Sequence, residues 1–560
     1  MQPIHAALAA LLLAGGLTVG VTLTACTGTL EVHEIAGPPV LCRTPAPPEV
    51  AMRHLGRVEL DNSLSDLLHV TPGNTGALSY AADDSTIGFE VGTSVSDHLA
   101  RQYLDTGEAL ATRATASLRT LDPILAACTR SGNPTGAVAD RCARDFITHF
   151  GRLAFRRPLA TAEIDEYAAL FAAGRDMDGF GVGIQLVVNA IIVSPNFLYH
   201  AEPVPTGATS RDVVPVAGYE MASRLAFFLW RSGPDDALLD AAAAGDLDHA
   251  EGIEAHARVM LADARATRGM HELFRQWLNL SALDSMSKNT TVYPEWSTSL
   301  RGSLSGSMYA FLDEVMRPGN ASLTTLMTAD FAYVDHDLAT LLGVHGPAAG
   351  MGFQRVTLPA SERSGLLTQP ALMAIFGKAN QSDPIHRGIF VRTRMLCGVL
   401  QPPPADVDIT PPDLRPGLTT RERFDMHRTQ PRCAACHTLI DPIGYGFEHY
   451  DALGRYRTAE QGHAVDASGS IVAGDDATGN FDGAPDLAQQ LVGSTVFEGC
   501  VARQFFRFAQ GRVETRDDTC STSSLESVLR ESHGDLRELL IGITRTEAFR
   551  YRRIPMEVSP

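Results

Sequence analysis

Two cysteines and a histidine stand within five residues of one another at Cys433-Ala-Ala-Cys436-His437. Thiols three positions apart lie on one turn of a helix, where each sulfur can bond a vinyl carbon on the same edge of a porphyrin. The imidazole that follows directly is then placed to bind the iron from the proximal side. The spacing therefore predicts one covalently attached haem c, held by Cys433 and Cys436, with His437 as the proximal ligand.

Two other kinds of site use the same cysteine spacing. A zinc site would need a second cysteine pair or a histidine pair at ligand spacing, which the sequence lacks. A redox-active dithiol of the thioredoxin type would need a βαβ setting, whereas this motif follows a Pro-rich stretch at 401–417. Haem attachment is therefore the favoured interpretation, and the zinc site and the dithiol are the alternatives.

Residues after the motif are candidates for the haem environment. We expect the second ring nitrogen of His437 to meet a backbone carbonyl in a turn at Asp441-Pro442-Ile443-Gly444. Aromatic rings would cover the haem and guanidinium groups would pair with its propionates. The residues expected in these roles are Tyr445, Phe447, Tyr450, Arg455 and Arg457.

The sixth iron ligand is less well defined by the sequence. Met556, close to the end of the chain, is the only methionine after His437, so histidine is a better candidate than methionine. His449 and His427 are the main candidates, with His463 and Met426 as further ones. A five-coordinate iron is the alternative, and it would suit reaction with peroxide better than electron transfer.

The first residues indicate the compartment. An apolar run from Ala6 to Ala25 ends in Leu23-Thr24-Ala25-Cys26, the small-residue pattern that precedes a lipid-modified cysteine. We therefore predict a lipoprotein signal peptide over 1–25 and lipidation of Cys26, with an uncleaved anchor as the alternative. The protein would then be exported, as an outer-membrane or periplasm-facing lipoprotein with a lipid anchor.

Composition is that of an ordinary globular protein, with 44% hydrophobic and 20% charged residues in a chain of 560. Lysine and arginine number 46 against 65 acidic residues, which gives a net charge of −19. No basic run occurs, so nucleic acid and anionic lipid headgroups are not expected partners.

Six of the nine cysteines remain after Cys26 and the haem pair are set aside. An even number in an oxidising compartment favours three disulfides. Proximity in sequence predicts Cys128–Cys142 and Cys500–Cys520, and Cys42 would then meet Cys397. Buried thiols are the alternative.

The chain is predicted to be mainly α, as a multi-helix body with a small haem module and a short helical C-terminal domain. Apolar stripes at helical spacing indicate helices at 219–230, 255–280 and 304–315, and 331–342 continues the pattern. Residues 466–483 are predicted to be loop. The predicted boundaries are 1–25 signal peptide, 26–50 Pro-rich tether, 51–125 N-terminal helical domain, 126–205 helical domain with Cys128 and Cys142, 216–345 central helical domain, 360–460 haem-binding domain and 461–560 C-terminal helical domain.

Other catalytic motifs are weak. Ser285-Met-Ser-Lys288 matches the SxxK pattern of serine acylases, but the companion motifs are absent, so a surface turn is expected there.

Several segments resemble a known family. They include SPNFLYHAE (194–202), RSGLLTQPALM (363–373), HRGIFVRTRMLC (386–397), FFRFAQGR (505–512) and the segment around CAACH (427–457). Together they resemble secreted bacterial, c-type cytochrome-like proteins assembled from domains of unknown function 1587, 1595, 1592, 1588 and 1585. The resemblance implies an exported, mainly helical protein with one covalent haem and a role in electron transfer.

Three functions are compatible with these observations. The first is electron transfer by a single haem to or from a redox protein partner that the sequence does not identify. The second is a haem enzyme in which an open iron site handles peroxide or a small organic substrate. The third is a non-catalytic surface binding lipoprotein, because the helical body far exceeds what one haem needs.

Overall fold

The structure is a computed structural model, and it describes residues 45, 47–49, 52–85, 88–402, 412, 414–425 and 431–555. The described part of the chain is mainly helical, which confirms the prediction of a mainly α chain. None of its helices combines the length and the apolar character that crossing a bilayer would require. The predicted signal peptide, the lipidation site Cys26, and Cys42 lie outside the described residues.

Helices follow one another along most of the described chain. Their bounds are Arg57–Leu68, Asp97–Thr115, Leu118–Leu121, Pro123–Cys128, Gly136–Phe155, Thr161–Ile192, Pro195–Leu198, Gly218–Leu229, Asp236–Ala244, Ala250–Ala262, Ala266–Trp277, Ala282–Ser285, Thr298–Val315, Leu323–Thr328, His336–Leu342, Pro370–Ile375, Pro384–Phe390, Thr420–Phe424, Pro431–Tyr445, Gly483–Val492, Thr495–Gln510, Thr519–Glu531, Leu536–Arg545 and Glu547–Arg550. A wider π turn, Val391–Met395, continues the helix that starts at Pro384.

Short strands form two-stranded antiparallel pairs between the helices. The pairs are Val213–Pro215 with Tyr551–Arg553, Phe331–Val334 with Gln354–Thr357, Ala459–Glu460 with His463–Ala464, and Ser468–Ile471 with Gly479–Asp482. The first pair joins the end of the described chain to its middle. It thereby brings residues that are far apart in sequence to one surface.

Two hydrophobic cores hold the helices together. One core is built mainly from residues 55–198, and the larger one from residues 216–549. The predicted apolar stripes lie in the larger core, where Leu225, Trp277 and Phe311 are fully buried. Phe227 crosses into the smaller core and Phe89 into the larger one, so the two cores adjoin at these residues.

Three local predictions were wrong. The helix predicted over 255–280 is interrupted at Asp263, whose carboxylate accepts a hydrogen bond from the backbone N–H of Arg265 (2.8 Å). Residues 331–334 form a strand, because their partner strand lies 20 residues further on and no local pattern shows it. The loop predicted over 466–483 contains a hairpin that buries Phe481 in the larger core.

Candidate functional site

The motif Cys433-Ala-Ala-Cys436-His437 lies on a single helix, Pro431–Tyr445, which we call the CxxCH helix. Both cysteines and the histidine are half-buried, and 20% of the His437 side chain is exposed. The structure therefore brings together the three residues that the sequence predicts to act together. It places them at the edge of the larger core and not inside it.

His437 is held by a carboxylate. Its Nδ1 lies 2.9 Å from Oδ1 and 3.1 Å from Oδ2 of Asp441, one helical turn further on. Asp441 is fully buried. The predicted turn at 441–444, with a backbone carbonyl as the partner of His437, was wrong because the helix continues through Pro442 to Tyr445. An imidazole with Nδ1 on a carboxylate is fixed in orientation and is a stronger base at Nε2.

The CxxCH helix packs mainly against the helix Pro384–Phe390. Two glycines allow the close approach of the two backbones. A Cβ on Gly388 would collide with the carbonyl oxygen of Ile440, and one on Gly444 would collide with the carbonyl oxygen of Pro384. The position of the CxxCH helix thus depends on the absence of side chains at these two residues.

Arg387 fixes the chain that follows the CxxCH helix. Its guanidinium is fully buried and donates to five carbonyl oxygens. The acceptors are the carbonyls of Met373 (3.2 Å), Phe376 (3.1 Å), Phe447 (2.9 Å), Tyr450 (2.8 Å) and Asp451 (2.8 Å). All the N–H groups of the side chain are therefore used, and the turn at 447–451 is held to the preceding helices.

Glu448 supplies a buried negative charge beside this guanidinium. Its Oε2 accepts hydrogen bonds from Arg457 (3.0 Å) and from the hydroxyl of Ser382 (2.8 Å), and Oε1 lies 4.0 Å from Arg387. Burial raises the pKa of Glu448, and the two arginines oppose that rise. Arg457 also pairs with Glu460 at 3.1 Å. These residues form a network of buried charges.

The residues predicted to contact the haem have structural roles in this network. Arg455 pairs with Asp451 (2.7 Å) and Glu295 (2.6 Å), and the pairing of Arg455 and Arg457 with propionates stays a prediction. Both guanidinium charges are balanced by carboxylates of the protein. The aromatic rings are core residues, and the Tyr450 hydroxyl donates to the carbonyl of Glu362. The buried rings are those of Tyr445, Phe447 and Tyr450.

The candidates for the sixth ligand differ in their placement. His449 is stacked on Tyr456, with ring centroids 5.1 Å apart, and its Nδ1 donates to the carbonyl of Arg457 (2.8 Å). His463 is exposed on a short hairpin. The other candidates, His427 and Met426, lie outside the described residues. Among the described residues, no group of three or more His, Cys, Asp or Glu side chains has an arrangement that could hold a metal ion.

Two disulfides lie within the described chain. Cys128 is bonded to Cys142, as predicted. Cys500 is bonded to Cys397 and not to Cys520, so the predicted pairs Cys500–Cys520 and Cys42–Cys397 were wrong. The Cys397–Cys500 bond spans 103 residues and ties the segment before the CxxCH helix to the helix Thr495–Gln510. Cys520 is itself disulfide-bonded.

The burial of Lys288 differs from what the sequence predicted. A surface turn was expected, but Lys288 is buried and its Nζ donates to three carbonyl oxygens. The acceptors are Ala374 (2.8 Å), Gly377 (2.8 Å) and Lys378 (3.1 Å). Burial lowers the pKa of Lys288 to about 7. Through these hydrogen bonds Lys288 binds the carbonyls at the C-terminal end of the helix Pro370–Ile375. It thus supports the segment that Arg387 holds.

Sequence reasoning also missed Arg387, Gly388 and Asp441 as positioning residues. The signal for Asp441 was its place four residues after His437, which puts both side chains on one helix face. The sequence signal for Arg387 and Gly388 was weaker. An Arg-Gly pair in an apolar segment can be recognised as a buried cation and a close helix contact only when the fold is known.

Comparison with known protein families assigns five segments of the chain. The segments match, in order, proteins of unknown function DUF1587 over 53–116, DUF1595 over 142–202, DUF1592 over 216–344, DUF1588 over 363–460 and DUF1585 over 479–549. Neither the curated proteins nor the solved structures contain a match to the chain. The CxxCH helix and its supporting network lie within the DUF1588 segment. This chain therefore belongs to the family of proteins assembled from domains of unknown function 1587, 1595, 1592, 1588 and 1585.

Proposed function

We propose that this protein carries one covalent haem c and transfers single electrons to or from a redox protein partner. Cys433 and Cys436 would hold the haem through thioether bonds, and His437 would bind its iron through Nε2. We further propose that the protein is exported and anchored as a lipoprotein through Cys26. The observation that carries the proposal is the CxxCH motif on one helix, with His437 oriented by Asp441.

The residues present fit such a group. Cys433 and Cys436 are half-buried, do not form a disulfide, and lie three residues apart on one helix, the spacing that thioether attachment requires. Because Nδ1 of His437 contacts Asp441, Nε2 is the nitrogen that would bind the iron. A bound haem would supply a one-electron redox couple. The protein's own residues would fix the imidazole, keep its Nδ1 proton on the Asp441 side and hold the helix against Pro384–Phe390.

The test is optical. Protein matured with a cytochrome c assembly system should show reducible haem bands and a haemochrome spectrum typical of thioether attachment. The double variant Cys433→Ala with Cys436→Ala should lose covalently retained haem. The single variant Ser285→Ala, exposed and remote from the motif, should retain it. Wild-type protein without covalent haem would contradict the proposal.

A haem enzyme is the second candidate, and Asp441 is the observation that favours it. A carboxylate on the proximal imidazole strengthens its donation to iron and stabilises the more oxidised states, which suits reaction with peroxide. Cyanide distinguishes the two candidates. Rapid cyanide binding by the ferric protein would indicate an open iron site, whereas a low-spin spectrum that cyanide does not change would support electron transfer alone.

A further inference from the structure

A cavity of about 250 Å³ lies between the two hydrophobic cores, remote in the fold from the CxxCH helix. Residues from four of the five family segments line it. Six of its lining side chains are guanidinium groups, and we call the site the arginine cavity. These residues are Arg53, Arg224, Arg231, Arg512, Arg552 and Arg553.

Positive charge exceeds negative charge in this cavity. Only two carboxylates, Glu59 and Glu202, line it against the six guanidinium groups. Two further carboxylates do not line the cavity but contact its arginines. Asp518 pairs with Arg512 (2.7 Å), and Glu220 lies 3.9 Å from Arg552. Counting all four acids leaves two positive charges uncompensated, in a chain whose net charge is −19.

Both carboxylates that line the cavity already form ion pairs with arginines. Glu202 makes two hydrogen bonds with Arg224, at 2.6 and 2.9 Å. Glu59 pairs with Arg231 at 3.0 Å and lies 3.1 Å from His200 Nε2. Burial tends to raise the pKa of Glu59, but Arg231 and His200 outweigh it and hold that pKa well below its usual value. Both carboxylates are therefore ionised at neutral pH.

Arg53 and Arg553 are the two cations without such a partner. Within the described chain, neither makes an ion pair with a carboxylate, and Arg553 donates through Nε to the carbonyl of Pro47 (3.0 Å). Burial lowers the pKa of Arg53, and the neighbouring Arg231 lowers it further against the attraction of Glu59. The Nε groups of Arg231 and Arg512 are buried without a hydrogen-bond acceptor among the described residues, and Nε of Arg552 lies 3.5 Å from Oε2 of Glu202. Burying a guanidinium group without an anionic partner costs free energy, and a bound anion would offset that cost.

Aromatic side chains form much of the remaining lining. Phe227, Phe228, Phe508, Phe549 and Tyr551 line the same cavity. Guanidinium groups bind carboxylate and phosphoryl oxygens through paired hydrogen bonds, and aromatic walls bind an apolar body by burial.

We infer that the arginine cavity binds a small organic anion, with a carboxylate or phosphoryl group on Arg53 and Arg553 and an apolar body against the phenylalanines. This site is separate from the proposed haem and does not depend on it.

Calorimetric titration of the purified full chain tests the inference with benzoate, phenyl phosphate and neutral benzyl alcohol. Saturable binding of benzoate or phenyl phosphate, and not of benzyl alcohol, is expected. Comparison of the first two then identifies the anionic group. Arg53→Gln and, separately, Arg553→Gln should weaken binding about tenfold or more, because each removes charge-assisted hydrogen bonds.

Arg113→Gln is the matched control, since Arg113 is an exposed arginine that also donates to a single backbone carbonyl, that of Asn74. It should leave binding unchanged. Thermal unfolding without ligand checks that the variants fold, and the two cavity variants serve as independent tests. The inference is overturned if neither anion binds, if benzyl alcohol binds equally well, or if a folded Arg53→Gln protein binds as the wild type does.

Discussion

Buried arginines occur in two regions of this molecule, and the two regions use them differently. Beside the CxxCH helix, Arg387 donates to five carbonyls and Arg457 pairs with Glu448 and Glu460. In the arginine cavity, neither Arg53 nor Arg553 makes an ion pair with a carboxylate within the described chain. A guanidinium whose donors are all used holds the fold together, whereas one whose donors are not used is available to a ligand.

Replacing one arginine in each region gives the largest expected contrast. Arg387→Met should destabilise the protein by about 5 kcal/mol, because five carbonyls lose their donor and the buried Glu448 loses a neighbouring positive charge. Arg53→Met should change the unfolding free energy by less than about 1 kcal/mol, since it removes a cation without an ion pair. Chemical denaturation of both variants measures the difference. Equal losses would remove the distinction between the two regions.

Close packing beside the CxxCH helix is tested by adding one methyl group. Gly388→Ala should cost about 3 kcal/mol, because the new Cβ collides with the Ile440 carbonyl and separates the two helices. Gly302→Ala is the control, since Gly302 lies inside the helix Thr298–Val315 with no atom within 4 Å of the new Cβ. It should stabilise the protein by about 0.5–1 kcal/mol. A tolerated Gly388→Ala would contradict the packing account.

Asp441, which contacts His437, should affect the reduction potential of the proposed haem. Asp441→Asn removes the negative charge next to the imidazole, which weakens its donation to ferric iron. If ferric iron loses about tenfold in relative stability, the midpoint potential rises by about 60 mV. Spectroelectrochemical titration measures the shift. Asp466→Asn, exposed on the following hairpin, is the control and should leave the potential unchanged.

The smallest expected effect concerns Glu220, a carboxylate near Arg552 of the arginine cavity. Burial raises the pKa of Glu220 from its ordinary value of 4.5 to about 6, and Glu202 adds to the rise while Arg552 opposes it. Between these pH values the folded protein binds a proton that the unfolded chain does not, so this contribution to stability is lost as pH rises through 6.

Glu220→Gln should therefore stabilise the protein by about 1 kcal/mol at pH 7 and have little effect at pH 4.5. Unfolding free energies at the two pH values measure this. Phenyl phosphate should also bind a few-fold more tightly, because one negative charge near the cavity is gone. A loss of stability at pH 7 would mean that the attraction of Glu220 to Arg552 outweighs its burial.

The sequence predicted most where residues that act together are also neighbours in the chain. Cys433, Cys436 and His437 are contiguous, and Cys128 lies 14 residues from Cys142, so local spacing identified both features. Helical stripes likewise predicted the core around Leu225 and Phe311, because a period of 3.6 residues requires no knowledge of the fold.

Features assembled from distant segments could not be predicted. Cys397 and Cys500 are 103 residues apart, and no local pattern selects that pair among the alternatives. The arginine cavity combines Arg53 with Arg553, from opposite ends of the described chain, through the bridge of His54 to Tyr199 and the pairing of Val213–Pro215 with Tyr551–Arg553. The ion pairs of Arg455 and Arg457 could not be predicted for the same reason, because Glu295 and Glu448 become their neighbours only in the folded protein.

The most direct test of the central claim is the mass of the denatured polypeptide. After maturation with a cytochrome c assembly system, unfolding and acid-acetone extraction, the intact chain should be heavier than the bare polypeptide by one haem. Proteolysis should place that mass on the peptide that contains Cys433 and Cys436. A chain of bare polypeptide mass, with all haem recovered in the acetone, would contradict the account.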